Sequence, residues 1–502
     1  MAEKIDYKKS TVSGLAWKFL EQISTKLIAF VISVILARLL MPEDYGVIAL
    51  TSIFITLCDI FVSYGFATSL IQKKDPDELD YSSVFYTSLL IAVFLYVILF
   101  VWAPYIAGWF ETPLLCNVLR VLGLRIPIGA FGSVQQAFTS KNLKFKSFFL
   151  ATLVGSVIAG VVGIIMAYNG FGVWALVAHD MVAIVINKVT LYFVTKWRPH
   201  LCYSFKRTKD LFKFGWKILA CSLFETACDE ANAFIIGRKY SSEDLAYTSK
   251  GGSTPKMIGG FMVNPIKFVL LPILSAKQGE DIKGALIRCI KCCAYVIFPI
   301  MGGLFAIAPT LVPVLYTAKW SSCIIFMQLM CVFYAAEPLI AINTILIQAK
   351  GRSDLYLIVG VVARLVGLVL LLFALWHGVY WIIVAQVVTC LIHFCFKAIP
   401  NKKLYGYGLI AQIKDVLPYL LLTILMVLSV YWLNFVSLNQ ILILLLQICL
   451  GVVLYLGVSI VFRLPAFKYF LDIAKSFIAK NKTKKLKVVN NENLEENKES
   501  FL

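Results

Sequence analysis

Apolar stretches of about twenty residues recur along this chain, from 13–37 to 439–462, parted by short polar turns. Fourteen such windows can be drawn. At 1.5 Å of rise per residue, each is long enough to cross a hydrocarbon core roughly 30 Å thick. A backbone amide in hydrocarbon must find its partner within its own segment, so every window predicts a helix. The expected fold is therefore all-α and integral to a membrane, with about 14 transmembrane helices. The opening MAEKIDYKKS runs into the first window without a small-residue cleavage motif, so no cleavable signal peptide is expected.

The polar turns are not equivalent. Alternate turns hold only Arg38, Arg238, Lys239 and Lys319, whereas the others hold about 34 of the 47 Lys and Arg residues. Cytoplasmic connections carry the basic excess, and an even number of spans then places both termini in the cytoplasm. The tail agrees: Lys480, Lys482, Lys484, Lys485 and Lys487 make a polybasic strip suited to an anionic leaflet, before a polar, acidic end.

Composition adds little beyond this. The chain is 60% hydrophobic and 15% charged, too apolar to fold around a water-facing core. Its net charge of +19 is spread from turn to turn and not gathered on one soluble module, which argues against nucleic acid as a partner. The 13 cysteines lie mostly within apolar runs. Cys289, Cys292 and Cys293 lack a nearby His or second CxxC, so no metal is expected.

The chain also repeats itself weakly. GLAWK at 14–18 is echoed by KFGWK at 213–217; Arg38, Glu43 and Asp44 recur 200 residues later as Arg238, Glu243 and Asp244. GVWALVA at 172–178 recurs as GVYWIIVA at 378–385, and Pro127 and Pro338 each interrupt a window followed by a basic turn. Six helices separate the copies, and an even number makes the repeats parallel. The expected organisation is an N-lobe over 1–200 (helices 1–6) and a C-lobe over 201–400 (helices 7–12). Two further helices over 401–465 and a cytoplasmic tail over 466–502 complete it. Ala151, Gly155, Ala159 and Gly163, four apart, predict a close helix–helix seam.

Two motifs, Gly14–Trp17–Lys18 and then Ala37–Arg38–Leu39–Leu40 with Pro42–Glu43–Asp44–Tyr45–Gly46, stand on this six-plus-six-plus-two plan. Together they resemble the polysaccharide-transport branch (Wzx-type) of the multidrug/oligosaccharidyl-lipid/polysaccharide exporter superfamily. The resemblance covers essentially the whole chain. It implies a flippase that carries an undecaprenyl-diphosphate-linked oligosaccharide across the bacterial inner membrane by alternating access, for lipopolysaccharide, capsule or exopolysaccharide synthesis. It also implies polymerase and chain-length proteins of the same pathway as partners, and membrane lipids around the chain. The family has no catalytic signature, so no enzyme activity or cofactor is expected.

Charges within the windows point to where such cargo would ride. Lys26, Arg125, Lys256, Lys267 and Arg364 lie deep, and a lipid-facing cation costs about 3 kcal/mol even on insertion scales. They are expected to line an aqueous cavity and meet an anionic headgroup. Helical spacing adds Gln22, Gln136 and Asn264 to the same polar faces. Asp59, Glu225, Asp229 and Glu337 are candidate sites for a coupling proton or sodium ion. No GxxxxGK[ST] loop is present to harness ATP. Rival readings are a multidrug exporter of the same superfamily, a major-facilitator transporter, and a membrane polysaccharide polymerase or glycosyltransferase. The short outer turns and four scattered His residues disfavour the last.

Overall fold

The computed structural model describes residues 7–63, 70, 76–141, 145–195, 197–276, 281–350 and 352–472, apart from the side chains of 7–21 and of scattered positions that include Asn264 and Lys267. Most of the expected tail lies outside these residues. Among them, twelve helices are apolar and long enough to cross a membrane. Helices α1 (Tyr7–Leu39), α2 (Pro42–Ser63) and α3 (Glu78–Trp109) are followed by a broken span, α4 (Leu114–Gly123) and α5 (Arg125–Lys141). Then come α6 (Phe145–Tyr168), α7 (Val173–Val194), α8 (Phe205–Lys239) and α9 (Ser242–Ala276). The chain continues through α10 (Asp281–Tyr316), α11 (Cys323–Ala349), α12 (Ser353–Ala374), α13 (Val379–Ala398), the short α14 (Asn401–Tyr405), α15 (Leu409–Trp432) and α16 (Gln440–Val461).

Helices α8 and α9 are the two long ones missing from the apolar twelve, at 35 residues each. They coincide with two of the fourteen windows and are helical as expected; in α8 the charges Lys213, Lys217, Glu225, Asp229 and Glu230 interrupt the apolar run, whereas α9 is polar mainly over its first half and its sequence is largely apolar over 257–274. Counting both restores fourteen long segments, with α4 and α5 taken as one.

Contacts divide the chain into two compact units. The first gathers residues 1–257, 312–327 and 364–386; the second gathers 258–311, 328–363 and 387–502. Within the first, α6 and α7 pack closely along the predicted small-residue seam. A Cβ on Gly155 would stand 3.1 Å from the Ala183 carbonyl and 3.3 Å from the Asn187 amide, and Asn187 Nδ2 donates to Thr152 Oγ1 at 3.3 Å.

Two of the echoed pairs lie at the starts of helices. Asp44 accepts from the Met41 amide at 3.1 Å as α2 begins, and Asp244 exchanges hydrogen bonds with Ser241 (2.8 and 2.9 Å) as α9 begins. These two turns touch: a Cβ on Gly46 would lie 2.0 Å from the Ser242 carbonyl oxygen, so only glycine fits. Gly172 and Gly378, which open the other echoed pair, both hold positive φ (53° and 111°) at the entry to α7 and α13.

The four cations of the Lys/Arg-poor turns are all engaged. Arg38 donates to the Val314 and Leu315 carbonyls at the end of α10 (2.6 and 2.8 Å); Lys319 donates back to the Arg38 and Leu40 carbonyls at the end of α1 (2.8 and 2.5 Å). Each helix is thus capped by the cation that follows or ends the other, which satisfies carbonyls a helix C-terminus leaves unpaired. Lys239 donates to the Leu375 carbonyl just past α12 at 2.8 Å, over the Trp376 ring, and Arg238 lies 3.4 Å from Glu111.

At the basic ends, Asp77 caps α3 in a reciprocal box with Asp80 (3.0 and 3.1 Å) and pairs with Arg207 near the start of α8. The connection from α7 to α8 lies against α3 there: Trp197 donates to Glu78 at 2.9 Å, and the His200 and Ser204 amides donate to Ser82 and Ser83. In the second unit, α11, α14 and α15 are joined by a buried amide cluster. Asn343 and Gln412 exchange hydrogen bonds at 2.9 and 2.8 Å, and Asn401 donates to Asn343 at 2.7 Å.

Two outcomes follow from these contacts. Asn343→Leu should lower the thermal stability of the detergent-purified protein by about 1–2 kcal/mol, by stranding the Gln412 amide. The Asn343→Leu/Gln412→Leu double variant should lose less than the two single losses added together, as coupled partners do. The hydrogen bond from Arg207 pulls the Asp77 carboxyl down to about 2, below its ordinary value near 4. A depressed carboxyl stabilises the fold above its unfolded value, and the benefit disappears as pH falls from about 4 towards 2. Arg207→Gln should therefore melt below the parent at neutral pH, with the gap closing over that acid window.

Candidate functional site

Pro127 is the third residue of α5 and has no amide hydrogen to give the Gly123 carbonyl, so the fourth span breaks at Leu124. Arg125 stands at that break. Its side chain is half-buried, and its buried Nε has no hydrogen-bond partner among the described residues. Two other charges lie within electrostatic reach: Asp59 on α2 and Lys188 on α7. The Lys188 stem crosses α5 over Gly132, where a Cβ would come within 2.2 Å of its Cδ. Bare backbone at Gly132 is what lets the ammonium reach the cluster. Two cations around one carboxylate leave the cluster net positive, and all three side chains are only part-buried.

A second cluster joins α8, α9 and α12. Arg364 donates to the Glu225 carbonyl oxygen at 2.8 Å and lies 3.6 Å from the Glu225 carboxylate and 3.7 Å from that of Asp229. Lys256 on α9 is exposed and within reach of Asp229 and Glu230. Glu225 and Asp229 are 48% and 73% exposed, so their ion pairs with Arg364 are worth about 0–1 kcal/mol each; the backbone contact is what fixes the guanidinium. A competing anion can take over such pairs at little cost.

Of the other expected site residues, Lys26 and Gln136 are exposed and Gln22 is half-buried. The side chains of Asn264 and Lys267 lie outside the described residues. Glu337 belongs to the second unit, within reach of Cys390. No group of three or more His, Cys, Asp or Glu residues among the described ones is placed to hold a metal.

Three charges were not singled out from the sequence. Lys188, Lys250 and Glu230 are not among the residues that spacing and depth bring forward. Lys188 has a readable signal in the glycine that faces it. Lys250 is only 5% exposed, and its ammonium donates to the Ser33 hydroxyl at 2.7 Å and the Ser33 carbonyl at 3.1 Å. It also lies 4.8, 4.6 and 5.7 Å from the ring centres of Tyr45, Tyr316 and Trp320.

This arrangement of helices is shared with known transporters. A structure of the lipid II flippase MurJ in an inward closed conformation superposes with a TM-score of 0.72 at 17% identity, covering 90% of this chain and 99% of that one. An inward-facing multidrug resistance MATE family transporter of the MOP superfamily gives 0.60 at 14% identity, over 77% and 99%. Among sequences, the succinoglycan biosynthesis transport protein ExoT of Rhizobium meliloti is 23% identical over 62% of this chain; the match spans 64% of ExoT, just under two thirds of its length. The teichuronic acid biosynthesis protein TuaB of Bacillus subtilis is 23% identical over 69% of this chain and 73% of its own. The lipopolysaccharide biosynthesis protein WzxC of Escherichia coli is 22% identical over 69% and 72%. A family model matches residues 35–325, more than half the chain, and with the helical plan it places this multi-pass membrane protein: the chain belongs to the family described as polysaccharide biosynthesis protein.

Proposed function

We propose that this protein is a flippase that moves a lipid-linked oligosaccharide, borne on undecaprenyl diphosphate, from the cytoplasmic to the outer leaflet of a bacterial inner membrane. The observation that carries the reading is the net-positive cluster of Arg125, Lys188 and Asp59 within the spans. A diphosphate cannot enter hydrocarbon unaided: moving one small ion there costs of order 20 kcal/mol in the idealised limit. Fixed cations replace its hydration, while the polyprenyl tail needs no help in lipid. Arg125 offers a guanidinium with a free Nε, the geometry a phosphate accepts in pairs; Lys188 offers a point charge.

Arg364, Lys256 and Lys26 extend the basic surface of the first unit on this reading; Lys267, whose side chain lies outside the described residues, is a further candidate. Asp59, Glu225, Asp229 and Glu337 are the groups through which a proton or sodium ion would drive turnover. The protein carries its cargo by alternating access and does not transform it. Both termini lie in the cytoplasm, and the polymerase and chain-length proteins of the same pathway take up the product outside.

The test is export in cells that depend on this gene. Arg125→Ala and Lys188→Met should each cut surface polymer by about tenfold or more, with lipid-linked repeat units building up on the cytoplasmic face and the protein still in the membrane. Gly132→Val should act in the same direction without removing a charge, by displacing the Lys188 stem. Glu225→Gln should cost under about 1 kcal/mol of stability, since its pair with Arg364 is exposed. Normal polymer in both Arg125→Ala and Lys188→Met would refute the assignment. A drug-sensitive deletion strain with intact polymer would favour the multidrug reading.

A further inference from the structure

Lys250 has no place in that scheme, and its surroundings are unusual. Among the described residues no carboxylate pairs with it, although it is buried. Its charge is met by the Ser33 oxygens and by the faces of three rings contributed by α2, the end of α10 and the turn that follows. Cation–π contacts and neutral acceptors offset part of the lost hydration of an ammonium, but less fully than a paired anion does. The Tyr45 ring is part of this cage, and its buried hydroxyl has no hydrogen-bond partner among the described residues. Two polar groups therefore stay dry here at a cost, and both regain water if the helix ends part.

The cage sits beside the reciprocal caps. Trp320, one wall of it, donates to the Ala37 carbonyl at 2.8 Å and meets Tyr45 edge-on at 5.2 Å. Arg38 and Lys319 donate to carbonyls, Lys319 with the Asp44 carboxylate also within electrostatic reach, at part-exposed ends where water can replace the partners. These contacts hold the Lys/Arg-poor ends of α1, α2, α9 and α10 together within the first unit, yet none of them is a buried ion pair.

We propose that Lys250 is a spring-loaded latch: its unpaired, caged charge keeps the closed arrangement of these helix ends only marginally favoured, so that they open readily. The latch goes beyond the flippase reading and rests on no step of it. Cys323 reports on it when its rate is followed over a range of pH, which separates opening from the direct action of the neighbouring ammonium on the thiol. Its thiol is fully buried beside Lys250, and a Cβ on Gly251 would lie 2.8 Å from its carbonyl oxygen.

The experiment uses the full-length protein in membranes from broken cells, which leave both faces open to a sulfonated maleimide. The rate of Cys323 modification is then read by peptide mapping over that range of pH. Lys250→Met keeps the stem and removes the charge, so the cage becomes an apolar contact; Cys323 should label about tenfold more slowly than in the parent. Ser33→Ala keeps the charge and removes an acceptor, so Cys323 should label faster by several-fold. A residue that merely holds the corner together would raise labelling in both variants. A Lys250→Met rate equal to or above the parent's overturns the proposal, and so does a Ser33→Ala rate equal to or below it. Cys331, buried in the second unit, serves as the folding control; if Lys250→Met exposes it, Lys250→Leu takes its place under the same criterion. The labelling needs no cargo, so a failed flippase assignment would leave both results standing.

Discussion

A cation held away from water must find electrons within the protein, and most of what is distinctive in this molecule answers that demand. The solutions differ with depth. At the exposed ends, Arg38, Lys319 and Lys239 use the carbonyls that terminate neighbouring helices. Further in, Arg364 takes a carbonyl and two part-exposed carboxylates, Arg125 and Lys188 share Asp59, and Lys250 makes do with oxygens and rings. The weaker the partner, the more readily the charge can be lent elsewhere. On the flippase reading proposed above, the charges around Arg125 are the ones a guest would take up.

The same demand explains which helices are polar. Helices α8 and α9 carry Glu225, Asp229, Glu230, Lys250 and Lys256, and these residues are the ones drawn into the clusters of the first unit. The amide cluster of Asn343, Asn401 and Gln412 shows the contrasting case in the second unit. There every strong donor is matched, the site is closed to water, and the contact fixes helices in place.

Much of this was legible in the sequence. Window length and the Lys/Arg imbalance of the turns are one-dimensional quantities, and they survive folding intact. So are the glycines of the 172 and 378 echoes, whose positive φ needs only a residue without a side chain. Pro127 marked the place of the break beside Arg125 for the same local reason. Partnership was not legible. Glu225 and Asp229 share a helix face by spacing, but nothing in spacing reveals that Arg364 meets that face. Lys188 and Lys250 did not stand out, because position along an apolar window does not tell how far a side chain lies from water. Burial is set by what neighbouring helices bring, and for Lys250 that is three aromatic rings from elsewhere in the chain.

The polarity of α8 and α9 reaches back to how the protein is made. A segment with several charges does not leave the insertion machinery for lipid on its own hydropathy; it goes when a waiting surface can receive it. Here only part of that surface comes first: Ser33 and Gly46 precede Lys250 and Ser242, whereas Arg364, which meets the carboxylates of α8, and the rings of Tyr316 and Trp320 follow later in the chain. The polar helices therefore wait for partners that have yet to be made, and their settling is coupled to the completion of the later spans.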